Sequence, residues 1–134
     1  MEYSKESIAM ANRLISEAQA VQGAFKLSED GEDAGSVGAA VLTVGGNIYT
    51  GICIDLACGI GFCAEHSAIA DMLKYRETQI TMVVACNSTK VLPPCGRCRE
   101  LMMQINPKNA HAQVIVSQDT LVKLKDLIPY YWNS

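Results

Sequence analysis

Apolar side chains recur at helical spacing from Ser4 to about Val21. Ile8, Ala11, Leu14, Ile15 and Ala18 share one face, and Lys5, Glu6, Asn12, Arg13 and Glu17 fill the other. Ser4 or Ser7 supplies an N-cap. Residues 28–36 (Ser-Glu-Asp-Gly-Glu-Asp-Ala-Gly-Ser) are small, acidic and glycine-containing, and read as a loop. Val37 to Val44 and Ile48 to Ile54 are β-prone runs on either side of Gly45-Gly46-Asn47, a hairpin pattern. The stretch from Ala64 to about Tyr75 is helical again, with Ala64, Ala68, Met72 and Tyr75 on one stripe that Ile69 and Leu73 widen. Ile80 to Cys86 is continuously apolar, as expected of a strand covered on both faces.

After a loop from Asn87 to Pro94, a third helix runs from Cys95 to about Ile105 and stops at Asn106-Pro107. Gln113 to Val116 reads as a buried strand, Thr120 to Lys123 as a short edge strand, and Leu124 to Ile128 as one helical turn. Strand–helix–strand order with short connections implies parallel pairing through a right-handed crossover. The expected architecture is α/β: a three-layer α/β/α arrangement around a mixed sheet of about five strands. Neither an internal repeat nor a linker interrupts the chain, so residues 1–134 are expected to form a single domain.

A chain of 134 residues, 49% hydrophobic and 19% charged, can bury a sizeable core. The net charge of −3 and pI near 5.3 argue against a phosphate-backbone partner, so no nucleic acid is expected. The N-terminal residues lack a signal-peptide pattern, and no segment approaches the ~20 apolar residues that cross a bilayer. A cytoplasmic location is therefore expected, and no membrane partner. There the six cysteines should stay mostly reduced, and their spacing points to metal or catalysis before disulfides.

The chemistry concentrates in two stretches, Gly61-Phe62-Cys63-Ala64-Glu65-His66 and Pro93-Pro94-Cys95-Gly96-Arg97-Cys98. Cys95 and Cys98, at i and i+3, share one face of a helical turn. Three thiolates from Cys63, Cys95 and Cys98 would hold one zinc ion per chain and leave its fourth tetrahedral corner to solvent, the arrangement of a catalytic site. Helix N-termini under all three sulfurs favour thiolate. His66, Arg97 and Arg99 are then expected around the sulfurs, offsetting their excess negative charge. Glu65, beside the open corner, is expected to be the catalytic proton carrier.

Cys63-Ala64-Glu65 with Pro94-Cys95-Gly96-Arg97-Cys98 matches the signature of zinc nucleobase deaminases. From about Val37-Gly38-Ala39-Ala40 to Leu127-Ile128-Pro129 the chain resembles the free-nucleoside branch, the cytidine deaminases and related blasticidin-S deaminases. The resemblance implies a homotetramer with composite active sites. It also implies hydrolysis of the exocyclic amine of a cytosine-type nucleoside to the uracil form, with release of ammonia. Hydroxide adds to the amine-bearing ring carbon, and Glu65 protonates the ring nitrogen and the departing ammonia.

The chain departs from that pattern where substrate is held. The Asn-x-Glu that holds ribose in cytidine deaminases is matched by Cys53-Ile54-Asp55, so Cys53 and Asp55, with Ala64 of the zinc motif, are the expected substrate contacts. The aromatic Pro-Tyr-Ser-x-Phe segment is replaced by Gly31-Glu32-Asp33-Ala34-Gly35-Ser36, and the arginine that follows Cys-Ala-Glu is His66. Pro-Cys-Gly-Arg-Cys-Arg and the tail Leu127-Ile128-Pro129-Tyr130-Tyr131-Trp132 lean towards the blasticidin-S type, another aminated heterocycle, with cytidine a poor substrate. Tyr131 and Trp132 are candidates to close over a neighbouring subunit's pocket. Two other readings compete. Cys95-Gly96-Arg97-Cys98 resembles a thioredoxin-type dithiol, and Cys58 or Cys86 as a fourth ligand would make a structural zinc site. Otherwise Cys53, Cys58 and Cys86 read as small packing residues.

Overall fold

The computed structural model describes residues 3–133. Along the chain come helix α1 (Lys5–Val21), strands β1 (Phe25–Lys26), β2 (Asp33–Thr43) and β3 (Ile48–Asp55), helix α2 (Ala64–Lys74), strands β4 (Ile80–Cys86) and β5 (Val91–Leu92), helix α3 (Gly96–Ile105), and strands β6 (Gln113–Ser117) and β7 (Thr120–Lys123). Short 3-10 turns occupy Ala57–Gly59, Pro107–His111 and Leu124–Leu127. Ser4 caps α1 by accepting from the Ser7 amide at 3.1 Å.

All strands join one mixed sheet. β2 pairs antiparallel with β3, β4 and β1, β4 pairs parallel with β6, and β7 returns antiparallel to β6. The expected count of about five strands is corrected to seven. The two extra strands, β1 and β5, are two residues each, too short to leave a period in the sequence. β2 also begins at Asp33, inside the stretch read as loop, because residues 33 and 34 find partners on both β1 and β3.

Alternation along the central strands divides the core in two. Ala40 and Leu42 of β2 with Met82, Val84 and Cys86 of β4 pack under α1 against Ala11, Leu14, Ile15 and Ala18. Ala39 and Val41 with Val83 and Ala85 face α2 and α3 through Ala64, Ala68, Ile69, Met72, Cys98 and Met102. Burial of Leu14 and Ile15 contributes about 1.5–3 kcal/mol each. Tyr75, placed by periodicity on the buried stripe of α2, is instead exposed and stacks on Tyr49 with ring centroids 5.7 Å apart. The helix ends at Lys74, so Tyr75 escapes its rotation.

Gly51 lets α2 settle onto β3, since a Cβ there would stand 2.4 Å from the Ala68 amide nitrogen. Asn109 is completely buried at the far end of the same layer. Its Oδ1 accepts from Ile80 N–H at 2.7 Å, and its Nδ2 donates to Met102 O at 2.9 Å and Thr78 O at 3.1 Å. One amide thus ties the start of β4 to α3. Helices α2 and α3 present their N-termini at the same end of the sheet.

Candidate metal centre and active site

The approach to Cys63 is fixed by backbone. Ile54 and Phe62 exchange two N–H···O bonds of 3.0 Å, joining the end of β3 to the residue before Cys63. Gly61 makes that approach possible, because a Cβ there would fall 2.2 Å from the Ile54 carbonyl oxygen. Cys63 is then the N-cap of α2 and Cys95 the N-cap of α3, neither end being capped by a side chain. Cys98 lies one turn into α3 and is fully buried.

The three sulfurs converge. Cys63 Sγ is 3.4 Å from Cys95 Sγ, and Cys95 Sγ is 3.6 Å from Cys98 Sγ. All the cysteines are free thiols. Sulfurs about 2.3 Å from one tetrahedral zinc ion stand about 3.8 Å apart, close to the spacing found here. His66 joins from the side, its Nδ1 at 3.5 Å from Cys98 Sγ, and the donor atoms of Cys63, His66 and Cys98 all lie within 4.8 Å of one another.

Burial dominates the protonation of the cluster. It pushes the Cys63 thiol up to about 11, the contact with Cys95 adding to the effect. Cys98 is raised further by its burial and then by the negative charge of Glu65. Burial opposes ionisation of Cys95 too, but the backbone amide of Cys98, the Cys63 thiol and the Arg97 amide bring its pKa below the ordinary thiol value. The expectation that helix N-termini favour thiolate therefore holds for Cys95 and is outweighed at Cys63 and Cys98. A divalent cation reverses that balance by holding coordinating thiols deprotonated. His66 is depressed by burial and then by the Arg97 charge, which leaves a neutral imidazole at Cys98.

Glu65 occupies the first turn of α2 and is only 5% exposed. Burial raises its pKa, against opposing hydrogen bonds from its own backbone amide and the Cys98 thiol. Cys63, Glu65 and Cys95 line a cavity of about 470 Å³, whereas His66 and Cys98 stand behind its wall. Ala64, Cys53, Asp55 and Arg97 line the same cavity.

At its outer end Cys53 Sγ accepts from Val37 N–H at 3.3 Å and touches Ser36 Oγ at 3.3 Å. Ser36 Oγ also donates to Asp55 Oδ2 at 3.2 Å. Ser36 and Phe62 are lining residues that sequence reasoning passed over. Phe62 had a signal in its place next to Cys63, but Ser36 lay in the misread loop. Three expected residues make other contacts within this chain. The Arg99 guanidinium binds the Pro94 and Leu127 carbonyls, and Tyr131 and Trp132 of this chain dock on Glu100, away from the cavity.

Residues 12–114 match the family model for the cytidine and deoxycytidylate deaminase zinc-binding region. The chain belongs to that family. The match spans both cysteine motifs, and the thiol donors gathered at the two helix starts suit the zinc for which the region is named. A cytidine deaminase of Halalkalibacterium halodurans is 33% identical over 73 residues, 53% of this chain and 55% of that protein. The chain thus spans about half the length of the curated relative it matches. Among solved structures, cytidine deaminase from Mycobacterium tuberculosis superposes with a TM-score of 0.75 at 22% identity, covering 92% of this chain and 97% of that one. The cytidine deaminase from Bacillus anthracis gives 0.71 at 25% identity, covering 92% and 89%. The fold is that of the cytidine deaminases. Among the described residues, no helix is long and apolar enough to cross a membrane.

Proposed function

We propose that this chain is a zinc-dependent aminohydrolase that converts the amine of a cytosine-type nucleoside, or a closely related aminated heterocycle, to the oxo form with release of ammonia. The observation that carries the reading is the trio of sulfurs 3.4 and 3.6 Å apart at two helix starts, with buried Glu65 opening on the same cavity. In this reading Cys63, Cys95 and Cys98 hold one zinc ion. His66 approaches Cys98 from behind the cavity wall and acts on the sulfur, not in place of Cys95. Bound there, zinc supplies Lewis acidity that brings the pKa of water to about 7.

The protein's own groups do the rest. Glu65 takes the proton from the attacking water, delivers it to the ring nitrogen, and moves a second to the departing amine. A raised pKa suits a carboxyl that must both accept and donate. Ala64 abuts the ring site, and Phe62 offers the aromatic surface that the glycine-rich segment 31–36 lacks. Arg97, on the cavity wall, adds positive charge near the sulfurs.

At the outer end the chain differs from a sugar-binding amide. Cys53 spends its sulfur on Val37, Ser36 and Asp55 Oδ2, and Ser36 donates to the same Oδ2, which leaves the second oxygen of the exposed Asp55 carboxylate as the acceptor offered to substrate. This favours a substrate rich in donors or positively charged at that end, of the blasticidin-S kind, with cytidine turned over more slowly. The assembly is read as a homotetramer with composite sites in the cytoplasm. In it, a neighbour's Tyr131 and Trp132 are the aromatic groups available for pocket closure.

The test is metal content together with ammonia release from cytidine, deoxycytidine, blasticidin S and aminopurines, followed by loss of the amine chromophore. Glu65→Ala should keep zinc and lose turnover, and Cys95→Ala should lose the metal. Bound zinc without ammonia release from any amine would leave only a structural site, and a zinc-free wild type would favour the dithiol reading. Sedimentation velocity checks the tetramer.

A further inference from the structure

The three sulfurs are not held equally. Cys63 follows the paired backbone at Ile54 and Phe62, and Cys98 is buried inside α3. Cys95 is exposed and follows Pro93-Pro94, a segment with no backbone N–H to donate. Arg99 supplies what that segment lacks. Its Nε donates to the Pro94 carbonyl at 2.8 Å, and its Nη1 donates to the Leu127 carbonyl at 2.7 Å. Its own backbone N–H donates to the Cys95 carbonyl at 3.0 Å. Residues 94 and 95 are therefore both tied to one arginine.

Leu127 is a firm anchor, because its turn starts at fully buried Leu124, whose N–H reaches the Ala112 carbonyl at 2.9 Å. We infer that Arg99 is a positioning residue for Cys95: its guanidinium bridges the Pro94 carbonyl to the anchored turn Leu124–Leu127 and so fixes where the Cys95 sulfur stands relative to Cys63 and Cys98. This assignment rests on the reading of Cys95 as a zinc ligand. It also gives the C-terminal turn a role within the same chain, as a brace for the metal loop. The job requires two donors in a rigid plane aimed at two carbonyls, which arginine offers and lysine does not.

The experiment compares zinc-loaded wild type with Arg99→Lys and Arg99→Ala. It follows zinc release to a colorimetric chelator and the sulfur-to-cobalt charge-transfer band after cobalt substitution. Outer partners of metal ligands typically alter metal affinity about 10–100-fold, and release from Arg99→Ala should be faster within that range. Arg99→Lys, which keeps the charge and one donor, should fall between and show a weakened or shifted cobalt band while its circular dichroism stays native. A purely structural arginine would lower the melting temperature and leave the cobalt band alone, and that result overturns the inference. Release at the wild-type rate from folded Arg99→Lys also overturns it, and this variant decides if Arg99→Ala does not fold. A wild type that binds no zinc at all is a failure of the deaminase reading instead.

Discussion

Glu65 stands on the first turn of α2, where the helix dipole favours its charged form by about 0.3–1 kcal/mol. Its pKa is nevertheless raised, so the loss of solvent outweighs the dipole. A carboxyl buried this deeply beside a thiol cluster is poorly explained as a helix-start charge, which would prefer water. Glu65→Gln keeps size and burial but removes the carboxyl that can take up and give back a proton. Turnover should fall about 10²–10⁴-fold with zinc content unchanged, measured by steady-state kinetics and metal analysis on one preparation. Asp55 poses the opposite case, an exposed carboxylate directly across the β2–β3 pair from Asp33. Like charges facing one another across a pair are unfavourable, and a cationic substrate group relieves them. Asp55→Asn should reduce kcat/KM for blasticidin S about 10–100-fold, as expected for loss of a charged hydrogen bond, and affect cytidine far less. Equal losses for both substrates would remove Asp55 from substrate discrimination.

At the scale of elements, the site is carried by two helix starts, and Asn109 ties one of those helices, α3, to the start of β4. Replacing this buried amide by alanine leaves the Ile80 amide and the Met102 and Thr78 carbonyls without their partner. Each buried group so stranded costs about 1–3 kcal/mol, and partial rescue by water should hold the total for Asn109→Ala to about 3 kcal/mol. Urea unfolding with an unchanged m-value is the check.

Asn109 also shows where sequence stops being informative. Its partner Ile80 is 29 residues away, and an asparagine after Asn106-Pro107-Lys108 looks like any loop residue. A separation of 28 residues likewise hid the partner of Arg99 at Leu127. By contrast, α1 and α2 were legible from local periods, β4 from a continuous apolar run, and the end of α3 from Asn106-Pro107. The i+2 and i+3 spacings place Cys63 with Glu65 and Cys95 with Cys98 locally, whereas the grouping of the two motifs, 32 residues apart, comes from the three-thiolate zinc reading and the resemblance to the zinc deaminase signature. The start of β2 was obscured because Asp33 to Ser36 has loop composition, and pairing with β1 and β3 overrides it.

For the whole molecule, the thiol cluster joins the starts of α2 and α3 on one side of the sheet, where each helix packs mainly on the strands. An ion held by Cys63, Cys95 and Cys98 would therefore act as a cross-link between the segments 61–66 and 93–98. A ligand that binds only the folded chain stabilises it by about 4 kcal/mol at 1,000 times its dissociation constant. In a domain of this size about 1 kcal/mol corresponds to roughly 3–5 °C in Tm. Stripping zinc with a chelator should thus lower Tm by about 10 °C or more, and restoring one equivalent per chain should recover it. Cys95→Ala should melt near the chelated wild type and respond weakly to either treatment. Glu65→Gln should keep the full zinc-dependent shift, because the proposed role of this carboxyl is in the reaction and not in the cross-link. A chelator-insensitive wild-type Tm, with zinc shown to have left, would mean that packing of α2 and α3 on the sheet alone holds this end together.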